Sequence, residues 1–170
     1  KLSSEFPNIK NFATLSPVPY FISWLTEYLQ NGGAPLLKPD EEEKICKLSK
    51  NSDAGNGIME LLNKKNWYKS KRYTDILRKP LLRLCTHYLF NVKQNKGFKV
   101  FDPVANFHLS NGAKIEHVNW LADTSPRGIR QSAGMMLNYH YRLDKIAINH
   151  ENYMTNGKVF ASSEVRGWLS

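Results

Sequence analysis

Apolar residues early in the chain recur at the spacing of one face of a helix. Between residues 20 and 30 they fall at i, i+3, i+4, i+7 and i+8: Phe21, Trp24, Leu25, Tyr28 and Leu29. This spacing predicts an amphipathic helix. The Asn31-Gly32-Gly33 sequence that follows is typical of a helix end.

Similar spacing predicts three further helices before residue 90. The first begins behind Asp40, interpreted as its N-terminal cap, and places acids in its first turn. A loop at 51–57 precedes a short helix at 58–62, and a longer helix covers 73–90, where Pro80 is a candidate point for a bend. Residues 20–90 are therefore predicted to form an all-helical block.

Strand patterns flank this block on both sides. A short apolar run from Ile9 ends at Ser16, because Pro17 cannot continue a central strand. Residues 113–122 and 135–143 alternate apolar and polar positions, as half-buried strands do, and these two strands could pair.

The helix between these strands has its own start and stop signals. Asp102-Pro103 is typical of a helix start, and Asn111-Gly112 of its end. The order is then strand, helical insert, helix, strand, strand. This order predicts a mixed α/β (α+β) domain.

Charge and cysteine content narrow the classes of partner and site. The 170 residues contain 24 Lys and Arg against 15 Asp and Glu, a net charge of +9. Such a surface favours an anionic partner: nucleic acid, anionic lipid or a phosphorylated small molecule.

Two cysteines suffice neither for a disulfide scaffold nor for a four-thiolate zinc site, and they fit a reduced intracellular compartment. No apolar run approaches the roughly 18 residues of a membrane span.

Two side chains are candidates for chemistry, and each has an ordinary structural interpretation. His108 lies near the end of a short capped helix, beside Asn106, where it could give a proton near neutral pH. Spacing alone favours a partly exposed structural histidine. Ser16 at a strand end lacks the glycines of a nucleophile elbow, and a loop serine is usually a turn former. The remaining histidines show no metal-ligand spacing, so no metal is predicted.

The stretch 64–73 interleaves basic and aromatic residues. Charge together with base stacking could track a nucleic-acid strand. The favoured interpretation is a solvated loop whose aromatic rings turn inward.

Five stretches resemble the C-terminal part of the malonyl-CoA decarboxylase family, in matching order and spacing along nearly the whole chain. They are Phe12–Pro19 (FATLSPVP), Pro80–Cys85 (PLLRLC), Asp102–Ala113 (DPVANFHLSNGA), Val118–Asp123 (VNWLAD) and Gly134–Tyr141 (GMMLNYHY). The resemblance implies a GNAT-like acyl-CoA-binding fold, present here in part, with a helical insert at about 20–90. It implies a carboxy-lyase of fatty acid metabolism that converts malonyl-CoA to acetyl-CoA and CO2 without metal or organic cofactor.

The resemblance also implies residue roles. Ser16 and His108 stand at the catalytic positions: Ser16 would position and polarise the malonyl group, and His108 would protonate the enolate carbon. Asn106 and Tyr141 are expected to join them in binding substrate. The chain departs from the family at Tyr20, where glycine is common, which could alter the loop that carries Ser16. Ser16 and His108 are expected to approach each other across one cleft.

Further expectations concern the rest of the protein. The chain is expected to be the distal part of the catalytic domain, with residues 1–6 ending a helix. A helical domain that forms a homo-oligomer and a loop that grips the CoA pyrophosphate are expected upstream. The expected location is intracellular, with the mitochondrial matrix preferred and the cytoplasm or peroxisome as alternatives. The C-terminus is not a Ser-Lys-Leu signal.

Two other functions stay open. An acyl-CoA N-acetyltransferase of the GNAT fold would need an amine acceptor and would not need Ser16 with His108. A nucleic-acid-binding module would use residues 64–73 and would show affinity that falls steeply with salt. The leading hypothesis expects no nucleic-acid partner.

Overall fold

A computed structural model describes Glu5 and residues 7–170. The strands are β1 (Asn11–Pro17), β2 (Lys114–Asn119) and β3 (Met136–Arg142). The helices are α1 (Phe21–Gln30), α2 (Pro39–Ser49), α3 (Ala54–Asn63), α4 (Lys71–Asn91), α5 (Pro103–Ser110), α6 (Pro126–Ser132), α7 (Ile146–Asn156) and α8 (Ser163–Gly167), with a 3-10 turn at Trp67–Lys69. The helix end predicted at residues 1–6 lies outside the described residues apart from Glu5.

The last strand in sequence lies in the middle of the sheet. The order is β1-β3-β2, and β3 runs antiparallel to both neighbours. Ser16 lies opposite Leu137 in one pair of strands, and Val118 lies opposite Leu137 in the other. The predicted pairing of the two late strands is confirmed, and so is the mixed helix-and-sheet, α+β class.

The two faces of the sheet differ in burial. Leu137 and Tyr139 of β3 are fully buried on one face, together with Ile115 of β2. Because side chains alternate along a strand, Asn138 and His140 lie on the other face, where they are partly exposed. The buried face is the one that meets α5 and carries the candidate site.

Residues 20–90 form the predicted helical block. Its core side chains are fully buried and contiguous with those of the sheet: Phe21, Leu25, Ile45, Ile58, Leu61, Leu77, Leu81, Leu84 and Leu89. Helix α4 runs through Pro80 without interruption, and that proline is buried. None of the described helices is both long and apolar enough to cross a membrane.

Two helix starts differ from the sequence prediction. Asp40 is not the cap of α2, because Pro39 already occupies the first helical position and Lys38 stands before it. The Lys38 backbone N–H donates to the Glu41 carboxylate at 2.9 Å. The loop predicted at 51–57 is shorter, because Asp53 caps α3 by accepting from the Asn56 N–H at 2.7 Å.

Gly57 lies within α3, on the side that faces α2. A Cβ built at this position would lie 2.7 Å from the Ser49 hydroxyl oxygen and 2.9 Å from the Ile45 side chain. The glycine therefore lets α3 pack closely against α2. Gly57 therefore serves the contact between two helices, whereas the sequence alone suggested that it formed a turn.

A buried ion pair joins α4 to α2. The Arg83 guanidinium contacts both carboxylate oxygens of Glu41, at 2.8 and 3.1 Å, and also donates to the Leu36 carbonyl at 2.8 Å. Burial alone would raise the pKa of Glu41, but the hydrogen bonds from Arg83 and from the Lys38 backbone hold it below its ordinary value.

The basic-aromatic stretch 64–73 turns its largest ring inward. Trp67 is buried, and its ring centroid lies 6.2 Å from that of Trp120. Stacking on a nucleic-acid strand requires exposed ring faces. The structural interpretation of this stretch is therefore the better one, and a nucleic-acid-binding function is not favoured.

Candidate active site

Ser16 lies at the end of β1, on the face of the sheet that meets α5. The side chain is only 8% exposed. Its hydroxyl oxygen lies 3.1 Å from Nε2 of His108 and 3.1 Å from the hydroxyl oxygen of Thr14 on the same strand face. The structure thus brings together two side chains that are 92 positions apart in sequence.

The cap of α5 determines where His108 lies. Asp102 is buried and accepts from the Ala105 N–H at 2.9 Å and from the Tyr88 hydroxyl at 3.2 Å. Burial raises the pKa of Asp102, although these hydrogen bonds act in the opposite direction. The start of the short helix is therefore anchored to α4, and His108 follows within two turns.

Two tyrosines of β3 fix the imidazole ring. Nδ1 of His108 lies 2.6 Å from the Tyr141 hydroxyl oxygen. The face of the ring stacks on Tyr139, with centroids 4.1 Å apart and planes 20° from parallel. Both ring nitrogens and one ring face are thus engaged, so the imidazole is held in one orientation with Nε2 toward Ser16.

Burial controls the protonation of the site. The pKa of His108 is lowered because burial disfavours the imidazolium, and the pKa of Tyr141 is raised because burial disfavours the phenolate. These shifts favour a neutral imidazole beside a protonated phenol. A phenol donates a hydrogen bond readily, and donation to Nδ1 leaves the imidazole proton on Nε2.

Asn106 lies on α5 but belongs to a different set of contacts. Its side-chain oxygen accepts from the Tyr153 hydroxyl at 2.7 Å, and that hydroxyl oxygen accepts from the Val100 N–H at 3.0 Å. These bonds attach α5 to α7. Among the hydrogen bonds of the described residues, none joins Asn106 to Ser16, His108 or Tyr141, so the structure assembles three of the four expected substrate-binding residues.

The structure adds two residues that sequence reasoning missed. Thr14 contacts Ser16 from the adjacent position on the same strand face, and Tyr139 supports the imidazole ring. The alternation along residues 135–143 places Tyr139 on the same face as Tyr141, so the sequence held a signal for Tyr139. It held none for Thr14, because the strand register that sets Thr14 opposite Tyr139 cannot be read from the sequence.

Tyr20, which stands where glycine is common in the family, lies at the surface. The Tyr20 side chain is 51% exposed just before α1, so its bulk is accommodated at the surface. In the part of the chain that the structure describes, no group of three or more His, Cys, Asp or Glu residues is placed to hold a metal ion.

Comparison with known proteins gives the family. Residues 1–170 match the malonyl-CoA decarboxylase C-terminal domain. The chain is 38% identical over 175 residues to the Anser anser anser protein named malonyl-CoA decarboxylase, mitochondrial, covering all of this chain and 34% of that protein. The Mus musculus protein of the same name is 35% identical over 170 residues, covering 97% of this chain and 34% of the mouse protein.

Solved structures agree with the sequence relatives. The crystal structure of malonyl-CoA decarboxylase from Rhodopseudomonas palustris has a TM-score of 0.82 at 37% identity, covering 98% of this chain and 35% of that one. The enzyme from Agrobacterium vitis has a TM-score of 0.80 at 33% identity, covering 99% and 38%. The chain spans about a third of the length of these relatives. The resemblance inferred from the sequence is confirmed, and the chain belongs to the malonyl-CoA decarboxylase family.

Proposed function

We propose that this chain carries the acyl-handling site of a carboxy-lyase that converts malonyl-CoA to acetyl-CoA and CO2 in fatty acid metabolism. The observation that carries the proposal is the 3.1 Å contact between the Ser16 hydroxyl and Nε2 of His108 in a buried site. The family supports the reaction, since relatives aligned over 97% and 100% of the chain are named for it.

The reaction requires the protein to stabilise an enolate and to protonate it. When the bond to the carboxylate breaks, its electrons form an enolate of the acetyl thioester, which must be stabilised at oxygen and protonated at carbon. Thioester enolates are accessible enough to need no metal or organic cofactor. The Ser16 hydroxyl donates to the malonyl carboxylate or the thioester oxygen and holds the group for loss of CO2.

His108 takes up a proton from solvent when the negatively charged substrate binds. Burial favours the neutral imidazole, but a malonyl carboxylate nearby favours the imidazolium and raises the pKa of His108. Nε2–H then gives its proton to the enolate carbon while Nδ1–H donates to the Tyr141 oxygen. This transfer leaves a neutral imidazole with its proton on Nδ1, and proton exchange with solvent restores the Nε2–H form after acetyl-CoA leaves. Tyr141 therefore acts through His108, and a direct contact with substrate is not needed for this role.

The wider architecture belongs to the same proposal. The sheet β1-β3-β2 with α5 forms the distal part of a GNAT-like acyl-CoA-binding domain, and residues 20–90 are an insert in it. The greater length of the relatives leaves room for an upstream helical domain that forms a homo-oligomer and for a CoA pyrophosphate loop. The names of the goose and mouse proteins support a mitochondrial location over a cytoplasmic or peroxisomal one.

Incubation with malonyl-CoA alone tests the function. We expect the full-length protein to release one CO2 for each acetyl-CoA formed, measured by carbonate trapping and chromatography. An acyl-CoA N-acetyltransferase would consume acetyl-CoA only when an amine is added. Amine-dependent acyl transfer without CO2 release would contradict the proposal.

Ser16→Ala removes the proposed hydrogen-bond donor. Loss of one preorganised donor to a developing oxyanion typically costs about 10²-fold or more in kcat. We expect a fall of that size, measured as CO2 release at saturating malonyl-CoA. Ser163→Ala, in the exposed first turn of α8, is the matched control and should retain activity. Equal activity of both variants would remove Ser16 from the mechanism.

Tyr141→Phe tests positioning through the imidazole. The charge-assisted bond from Nδ1–H to the phenol oxygen stabilises the imidazolium, so its loss lowers the pKa of His108 further. Because the active form is the imidazolium, kcat falls as pH rises through this pKa, and the fall should begin at lower pH in the variant. We expect about a tenfold loss of kcat at neutral pH. Tyr73→Phe, outside the site, should keep the wild-type profile, and an unshifted profile in Tyr141→Phe would contradict the role.

A further inference from the structure

We propose that a basic cavity beyond the C-terminal end of β3 binds the phosphate of a small phosphorylated ligand, at a site separate from Ser16 and His108. The cavity has a volume of about 510 Å³. Its cations and the residues that shape it come from three segments: Lys114, Arg142, Lys145, Asn152, Lys158 and Phe160. This volume falls within the range of small-molecule sites.

Chain connections bring these residues together. A turn closed by the Lys145 N–H and the Arg142 carbonyl at 2.9 Å joins β3 to α7. After α7 the chain returns beside β2, where the Ile115 N–H donates to the Phe160 carbonyl at 2.9 Å. The basic cavity is thus an open cleft bordered by a strand end, a helix and a returning segment, each fixed by backbone hydrogen bonds.

The charge of the basic cavity is only partly neutralised. Glu116 pairs with Lys114 at 2.7 Å, and Asp144 pairs with Arg142 at 3.0 Å. Lys145 and Lys158 have no ion-pair partner among the residues that the structure describes. Two unpaired cations match a phosphate monoester, which carries a charge of about −1.5 to −2 at neutral pH.

Neighbouring groups reinforce this preference for an anion. Lys158 Nζ lies 4.8 Å from the centroid of the Phe160 ring, a cation–π contact that holds the ammonium at the wall. An adjoining cavity of about 880 Å³ shares Arg142 and His140 with the first and adds Lys10, together with Asp144, which pairs with Arg142. Nδ1 of His140 is buried and lies 3.5 Å from Oε2 of Glu116, so this histidine already faces a carboxylate and the preference for an anion rests on the lysines.

The uncharged lining indicates the rest of the ligand. Asn149 and Asn152 donate their amide N–H groups to the Gly112 and Ile148 carbonyls, at 3.1 and 2.8 Å. Their amide oxygens are left as acceptors, which suit hydroxyl groups. The apolar side chains of Phe160 and Ile148 suit a flat or aliphatic part. The ligand class is therefore a phosphate ester of a hydroxylated molecule, of about the size of a nucleoside monophosphate.

Strand alternation separates the two sites. Tyr139 and Tyr141 contact His108 from one face of β3. His140 and Arg142 alternate with them and lie toward the other face. A ligand in the basic cavity therefore need not meet the acyl group at Ser16.

Calorimetry on the full-length protein with adenosine 5′-monophosphate tests the proposal. We expect saturable binding that weakens about tenfold or more in Lys145→Gln/Lys158→Gln, because hydrogen bonds to charged groups are lost. Lys47→Gln/Lys65→Gln removes the same charge at exposed positions outside the cavity and should bind as wild type does. This readout does not depend on decarboxylase activity.

Kinetics distinguish a free ligand from the nucleotide part of CoA. We expect the KM for malonyl-CoA to stay unchanged in Lys145→Gln/Lys158→Gln. A rise in KM equal to the loss in nucleotide affinity would assign the cavity to the substrate and overturn a separate site. Absence of binding, or equal weakening in both double variants, would overturn the phosphate site itself.

Discussion

His108→Asn in the full-length protein should lower kcat by about 10²- to 10⁴-fold while the dissociation constant for malonyl-CoA stays nearly unchanged. Asparagine keeps hydrogen-bonding capacity and approximate size, but it has no proton to give at neutral pH. The interaction lost is one made in the transition state, so kcat and kcat/KM should fall together. Stopped CO2-release assays and a binding titration with malonyl-CoA measure the two quantities separately.

A second histidine provides the control for this variant. His117 lies on β2 and pairs with Glu164 at 2.9 Å, outside the Ser16 site. His117→Asn should keep wild-type turnover. The melting temperature of His108→Asn should stay close to wild type, which excludes misfolding as the cause. Turnover at the wild-type rate in His108→Asn would remove the histidine from the chemistry.

Arg83→Met should destabilise the fold by about 3–5 kcal/mol. The Arg83 and Glu41 side chains are 12% and 10% exposed, so the variant leaves a carboxylate buried without its partner. It also removes the donor to the Leu36 carbonyl. Urea unfolding followed by circular dichroism measures the loss of unfolding free energy.

Two further variants isolate the cause. Arg83→Met/Glu41→Leu removes both charges and should recover much of the lost free energy, because no uncompensated carboxylate remains. Lys71→Met breaks an exposed pair, Lys71 with Asp75 at 2.6 Å, and should cost at most about 1 kcal/mol. An Arg83→Met loss as small as that of Lys71→Met would show that the buried pair contributes little.

The same ion pair makes stability depend on pH. Because the pKa of Glu41 is lower in the folded protein than its ordinary value, the folded state binds fewer protons than the unfolded state in acid. The contribution is complete above the ordinary pKa of a glutamate and is lost as pH falls through the lowered value. The double variant should lose this part of the acid sensitivity.

Local patterns predicted most of the elements. The helical block at 20–90 and the two late strands follow from periodicity, because burial of one face dictates it. The cap of α5 follows from Asp102 and Pro103, whose side chain and ring act on their own helix. The prediction that Asp40 caps α2 was wrong. Proline and aspartate both favour a helix start, and in the structure Lys38 is the cap and Pro39 the first helical residue.

The candidate site depended on information that no local window contains. From spacing alone, Ser16 and His108 were each more probable as ordinary structural residues, and the family resemblance singled them out. Their 3.1 Å contact needs strand β3, whose two tyrosines fix the imidazole. Helices α6, α7 and α8 were not predicted, because each is short or only weakly amphipathic and is stabilised by packing.

The central place of β3 sets an order of events during synthesis. Roughly 120 residues separate the end of β1 from the start of β3. At about 5–20 residues per second, a ribosome needs about 6–24 seconds to cover that distance. A nascent chain that has emerged only as far as β2 already contains Ser16 and His108, yet it lacks the strand that pairs with both halves of the sheet. Polypeptides released by a premature stop codon between β2 and β3, at positions 120–135, would thus hold both side chains and no assembled site, and they would expose strand edges to chaperones and proteases.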